Sequence, residues 1–426
     1  MGRPKKITPE VEKAPERLPG SFDVLPEQYY SWEFFGETLN SLSHTFGYAK
    51  IQTPTFEDAK LYKFWQQSHP NQLVTTQDKK GAVVAAKPIH LFGLGRAYLE
   101  YHFFEREKVS KWFYQGQVSK INAQNHIEQG YEFGFQIFGE INPIADAQMI
   151  NLALRIFTEL GLNNLSLEIN NIGCLECLPG YQEVLKNYFK DKKYDLCDNC
   201  LESLETNPVK ILECNNLSCS TVASEAPPLV DYLCDNCHKH FIGVLEGLDE
   251  LSIAYNLNPK IIGSPWSRKT VFDIRYRNEQ QDIVLVSGGH VDDLIQSLGG
   301  AQVSGLGFSG TFETVMTALE LAQIKYSSKN KVDVYLIPLG DLAAKKSLKL
   351  FTELWNQNIV ASEFLGSGSI KNQLKLAEAN RVEIALIIGQ KEAREATVIL
   401  RDVRSGMQEL FTTDRIVDEV KKRLGK

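Results

Sequence analysis

The 426-residue sequence is 43% hydrophobic and 23% charged, with a formal net charge of −7. Those values describe a soluble globular chain with room for two or three domains, and they argue against a protein coated in nucleic acid while leaving a local basic patch open. No apolar run approaches the roughly 18 residues that span a bilayer, and the opening MGRPKKITPEVEKAPER holds no secretory apolar segment. The expected location is therefore cytoplasmic, with residues 1–18 a disordered basic tail.

In chain order, Pro26 to Phe46 predicts a long amphipathic helix, because Trp32, Phe35, Leu39, Leu42 and Phe46 recur at offsets of three and four. Pro26 suits its first turn and Gly47 its end. An extended run from Tyr48 to Thr53 stops at Pro54, residues 60–80 are polar and irregular, and helical character returns near Gly95 to Phe103.

Lys111 to Glu140 predicts a hairpin with a long loop. In its second run Phe133, Phe135 and Ile137 fall on one face and Glu132, Gly134 and Gln136 on the other. The first run puts Trp112, Tyr114, Gly116, Val118 and Lys120 on a single face, and Asn122, Asn125, His126 and Gly130 give the connection a loop's composition. One face can enter a core while the other turns a carboxylate and an amide toward a cleft.

Pro143 to Leu160 predicts a helix, and Leu165, Leu167 and Ile169 alternate as a strand. Further strands are expected at Thr270–Arg275 and Ile283–Val286, and a helix at Phe312–Ile324. Residues 326–331, YSSKNK, read as a linker. Beyond it strands alternate with helices, giving a domain of mixed sheet over 332–426. Its helix Leu342–Asn356 is expected to bury Leu348, Phe351 and Trp355.

All eight cysteines lie in one window as Cys174/Cys177, Cys197/Cys200, Cys214/Cys219 and Cys234/Cys237. A C-x2-C turn aims two thiolates at one point, and two such turns complete a tetrahedral zinc site. In a reducing compartment a disulfide framework is disfavoured. Four pairs allow two four-cysteine sites, or one site and two loose pairs, and spacing does not choose; His238 and His240 are possible substitutes. Such zinc is structural, because four thiolates leave no open position.

Gly305-Leu-Gly-Phe-Ser-Gly310 matches G-x-G-x-x-G ahead of a helix. A dinucleotide site also needs a hydrophobic strand before it and an acidic residue about 20 positions on. Here GGAQVS precedes it and lysine and asparagine stand near position 330. Close backbone packing is the better explanation.

These segments together resemble the class II histidine–tRNA ligases from Leu18 onward. LPGSFDVLPEQ, the long helix and YAKIQTPTFED look like motif 1 and its dimerisation segment; the hairpin resembles motif 2, and GLGFSGTFETVMTALE motif 3. The cysteine-rich stretch looks like the bacterial insertion, KTVFDI and SGGHVDDLIQSLGG stand at the histidine-specific signatures, and the last hundred residues resemble the anticodon-binding domain. The resemblance implies an α+β fold: an antiparallel-sheet core over 19–325 with an insertion at about 172–246, and a C-terminal α/β anticodon-binding-like domain over 332–426. It also implies a homodimer through motif 1 and tRNA as partner.

Departures from the family pattern bear on activity. The motif 2 arginine, which clamps the ATP α-phosphate and the amino-acid carboxylate, is replaced by Lys120. The motif 3 arginine falls at Thr314, and the arginine opening R-G-L-D-Y-Y at Ile262, with that signature's tyrosines at Trp266 and Ser267. R-P-E becomes Lys87-Pro88-Ile89, the motif 2 glutamine and glutamate are interchanged as Glu132 and Gln136, and G-G-R-Y-D-G-L becomes GGHVDDL with His290 in the arginine's place. Removing one transition-state donor typically costs about 10²- to 10³-fold in rate, and lysine lacks the bidentate fork of arginine.

The expectation is a chain deficient in histidine activation that binds tRNA or acts as a regulatory or heterodimer partner of an active synthetase, with ATP and Mg2+ relevant only if ligase activity survives. The alternatives are a divergent active ligase and a protein like the regulatory subunit of ATP phosphoribosyltransferase. Lys87, Lys120, Glu132, Gln136 and His290 are the expected pocket residues.

Overall fold

The computed structural model describes residues 15–139, 141–279, 281–326, 332–363, 369–380 and 382–426. The expected tail up to residue 14 and linker residues 327–331 lie outside them. Two compact units divide after Tyr326.

The first unit is built on an eight-stranded sheet. Its strands in chain order are β1 (Ala49–Lys50), β2 (Val109–Ile121), β3 (Ile127–Gly139), β4 (Leu165–Asn171), β5 (Asn256–Leu257), β6 (Arg268–Arg277), β7 (Asp282–His290) and β8 (Gly305–Thr311). They lie side by side as β1-β2-β3-β8-β7-β6-β4-β5. The six middle strands pair antiparallel throughout, and the short strands at the two edges join in parallel.

Alternation along β3 sets the two sides of this sheet. Phe133, Phe135 and Ile137 are buried in the main core, where Phe35 of the helix Pro26–Thr45 meets Phe133 edge-on at 5.0 Å and Phe312 at 4.5 Å. Phe35, Leu39 and Leu42 are that helix's buried apolar stripe, at the expected helical spacing. Helices Pro143–Glu159 and Asp235–Glu250 cover the same side.

The hairpin's loop is shorter than its composition suggested. Gly130 belongs to β3 and pairs with Val118, so the turn is confined to residues 122–126. The Asn122 side chain explains this compactness: its Oδ1 accepts from the backbone N–H of Gln124 and His126, an Asx-type turn. Residues 60–80 hold the short helix Lys63–Ser68 and the strand Thr75–Gln77 of a small three-stranded sheet.

The insertion is helical. Helices Leu178–Lys190, Asp198–Thr206 and Leu217–Ser224 surround a core that includes Tyr181, Leu185, Phe189, Ile211 and Cys219. Short half-exposed helices need only a few apolar residues each, so their sequence reads as polar.

The second unit is a five-stranded mixed sheet ordered Ala361–Glu363, Val334–Pro338, Ile384–Ile388, Thr397–Asp402 and Gln408–Thr412. The first three strands are parallel and the last two antiparallel. Strand Gln408–Thr412 and helix Gln390–Glu395 were not foreseen. Helix Asp341–Asn356 buries Ala343, Ser347, Leu350 and Leu354, whereas Leu348 and Trp355 are 59% and 71% exposed. The expected stripe lies one residue, about 100°, around the helix from the buried one. Small Ala343 and Ser347 let the helix lie close to the sheet, a packing preference that periodicity alone does not show.

Candidate functional site

On the side of the sheet opposite the main core, Tyr114 of β2 and Glu132 and Gln136 of β3 floor a cavity of about 800 Å³. Phe272 and Asp273 of β6, Ser287 to Gly289 of β7 and Gly307 to Ser309 of β8 continue the floor. Trp65, His69 and Trp266 form an aromatic wall, with the His69 ring stacked on Trp65 at 4.5 Å. A second cavity of about 390 Å³ adjoins the first, shares Glu132, Ser287 and Ser309 with it, and adds Lys120, Glu128, Thr311 and Thr314.

The floor is smooth because the G-x-G-x-x-G stretch is the strand β8 itself. A side chain at Gly307 would run into Gln136 Oε1, and one at Gly310 into the backbone carbonyl of Leu285. The glycines therefore serve close strand packing, as expected, and leave Gln136 room beside Gly307, its register partner.

Glu132 is buried and engaged by its own protein. Its Oε2 accepts from the backbone N–H of His90 at 2.9 Å and lies 2.9 Å from His90 Nδ1. The His90 ring stacks on Tyr114 at 4.9 Å, and the Tyr114 hydroxyl hydrogen-bonds with Glu132 and Ser309. Burial, reinforced by the Glu132 charge, holds Tyr114 protonated well above the usual phenol range. Gln136 Nε2 donates to the carbonyl of Ile137 at 3.1 Å.

Lys87 is buried at the edge of this group, its Nζ 3.3 Å from Thr53 Oγ1. Burial lowers its pKa, partly offset by Glu132 and Glu57. Lys120 is half exposed, with Nζ 3.8 Å from Glu128. Thr314 lies at the start of helix Phe312–Leu321, where its hydroxyl is 2.8 Å from that of Thr311, the capping residue. Ile262 packs onto the core of the insertion, while its neighbours Ile261 and Gly263 line the large cavity.

His290, expected in the pocket, is instead fully buried at the end of β7, with Nε2 3.0 Å from Asp146. Alternation from Ser287 and Gly289, which line the cleft, puts His290 on the opposite side, beside Leu306 of the main core, its register partner on β8.

Sequence reasoning missed several residues of the site. Arg275 and Arg277 line the large cavity, but Arg275 is bonded to Asp273 and Asp282, and Arg277 to Glu168 and Asp282. Ser287 donates to Asp273 at 2.7 Å, and burial raises the pKa of that aspartate. Ser287 and Ser309, in register with each other and each followed by a glycine, were the available signal.

The cysteines sort into Cys174, Cys177, Cys234 and Cys237, and Cys197, Cys200, Cys214 and Cys219. Sulfur separations of 3.7 and 3.9 Å in the first set and 3.9 Å in the second suit zinc; a tetrahedron with Zn–S arms of about 2.3 Å has edges of about 3.8 Å. Backbone N–H groups of Cys197 and Cys234 point at Cys219 and Cys177 sulfurs at 3.1 and 3.2 Å, as thiolates require. Both quartets fit a structural zinc ion. Neither His238 nor His240 belongs to them.

The sequence profile described as "Histidyl-tRNA synthetase" matches residues 20–212, and that of the "Anticodon binding domain" matches 333–423. The histidine–tRNA ligase of Halothermothrix orenii is 31% identical over 96% of this chain and 99% of its own. This chain belongs to the histidyl-tRNA synthetase family. The ligase of Caldicellulosiruptor bescii is 30% identical over 96% of this chain and 98% of its own. Among solved structures, apo S. aureus histidyl-tRNA synthetase superposes with a TM-score of 0.80 at 25% identity, covering 95% of this chain and 99% of that one. A Bacillus halodurans chain described as an ATP phosphoribosyltransferase regulatory subunit/histidyl-tRNA synthetase shares the fold, with a TM-score of 0.61 at 16% identity over 90% of this chain and 99% of its own. Residues 333–423 are the family's anticodon-binding domain.

Proposed function

We propose that this family member does not activate histidine and acts by binding tRNA, or as a regulatory or heterodimeric partner of an active synthetase. The observation that carries the reading is the charge of the smaller cavity. Its lysine and carboxylate side chains are Lys120, Glu128 and Glu132, a formal balance of one negative charge, with Lys120 beside Glu128. A nucleoside triphosphate brings about four negative charges to a site whose own balance is one negative. Positive charge aimed at the reacting phosphate is what adenylate formation uses, and the residues standing at the family's arginine positions are Lys120, Ile262 and Thr314.

Two further features support the reading. Glu132, the carboxylate available to a substrate, is taken up by His90 and Tyr114. The anticodon-binding domain is retained across its matched length, which is what a tRNA-binding role needs. Dimerisation through the motif 1 segment, two structural zinc ions and a cytoplasmic setting complete the proposal.

Electrophoretic mobility shift across a tRNA set tests the binding half, with tRNA retarded at low salt as the expected result. Absence of retardation for every tRNA overturns that half.

A further inference from the structure

We propose a third metal site in this chain, for a zinc-type dication held by Asp146, His240 and His290. The residues come from three elements: helix Pro143–Glu159, helix Asp235–Glu250 and the end of β7. Glycines bring the two helices together. A side chain at Gly243 would press on Pro143, and one at Gly247 on Ala147, so the helices approach closely on either side of Asp146. His240 lies one turn before Gly243 on the same helix.

The geometry is that of a ligand set. His290 Nε2 stands 3.0 and 3.2 Å from the two Asp146 oxygens, and His240 Nε2 stands 3.4 Å from Asp146 Oδ2. One donor atom from each residue lies within 4.8 Å of the others. A tetrahedral dication with arms of about 2.0–2.1 Å spaces its ligands about 3.3 Å apart. The two imidazoles are steeply inclined, 79° between planes with centroids 5.0 Å apart, as separate directions onto one ion require.

A purely hydrogen-bonded cluster leaves this arrangement incomplete. Asp146 and His290 are fully buried, the His240 side chain is 12% exposed, and the one polar contact of buried His240 Nε2, 3.4 Å to Asp146 Oδ2, lacks hydrogen-bond geometry. An ion between the imidazoles and Asp146 occupies that nitrogen. The remaining nitrogen of His290 is already oriented: Nδ1 lies 3.3 Å from Asp292 Oδ1, and Asp292 is itself held by Lys269 at 2.8 Å and by the Gly305 N–H at 3.2 Å. An outer carboxylate on Nδ1 fixes the tautomer that presents Nε2 to a metal. Two imidazoles and a carboxylate are a known zinc donor set, shared with other borderline first-row dications.

The site is too enclosed for substrate, and its role is to fasten. Helix Asp235–Glu250 carries Cys237 of the first cysteine quartet and, three residues on, His240. An ion at His240 ties the helix that closes the insertion to the catalytic-domain core through Asp146 and β7.

Native mass spectrometry of the full chain purified with zinc, beside its H240Q variant, tests the proposal. The wild-type chain is expected to carry one more zinc ion than the variant, whatever the occupancy of the cysteine quartets. Equal counts overturn the site. Because H240Q can misfold, nitrogen-15 NMR of histidine-labelled wild-type protein decides independently. Nε2 resonances of His240 and His290 in the metal-bound range support the site, and unmetallated resonances for both overturn it.

Discussion

Lys120 and Glu128 face each other directly in the register of the hairpin, Nζ 3.8 Å from Oε1, so the one lysine of the smaller cavity is flanked by an acid on the adjacent strand. Both are about half exposed, and the attraction between them is weak. Its consequence is electrostatic: the end of the cleft that phosphates would occupy has no surplus of positive charge. Replacing Lys120 and Thr314 together by arginine returns two guanidinium groups to that end. Hydrogen bonds to charged groups contribute about 1.5–3 kcal/mol each, so ATP affinity in isothermal titration calorimetry should rise at least about tenfold over the wild type. An unchanged affinity contradicts the assignment of this cavity to phosphate.

Glu132 holds the floor together. Glu132→Ala removes the acceptor of the His90 N–H and ring and a partner of Tyr114. Leaving such buried donors unmet costs about 1–3 kcal/mol each, so chemical denaturation should show a loss of about 3 kcal/mol, smaller for Glu132→Gln. tRNA binding should be unaffected, since the residue supports the cleft and not the C-terminal domain.

The insertion depends on its thiolates. Cys200→Ser breaks the second quartet, in which Cys219 also belongs to the insertion's small core. One bound zinc should be lost, with a decrease in far-ultraviolet circular dichroism corresponding to helices near 198–224. Helices that persist with the zinc gone would show that hydrophobic contacts suffice.

In the main core, Phe35 is fully buried between Phe133 and Phe312. Phe35→Ala should destabilise the first unit by about 3–5 kcal/mol, read from its denaturation midpoint. The same change at exposed Trp355 of the second unit should cost well under that.

The sequence made the hairpin faces, the helix Pro26–Thr45 and the strand character of residues 165–169 legible, because each has one dominant period. It misplaced the buried side of Asp341–Asn356, where two stripes compete and the smaller residues lie inward. It left the cysteine pairing open, since spacing is local and the quartets join Cys174 to Cys237 across the whole insertion. His290 was assigned to the cleft because it stands at the arginine position of the family signature, although alternation from the cleft residues Ser287 and Gly289 turns it to the core side. Asp146 lies 144 residues from His290, so nothing in sequence linked them.

The central claim is that this synthetase-family cleft no longer forms histidyl-adenylate. Histidine-dependent exchange of labelled pyrophosphate into ATP, with the purified full-length chain and Mg2+, addresses it directly. The account predicts exchange indistinguishable from a histidine-free control, and clear histidine-dependent turnover would contradict it.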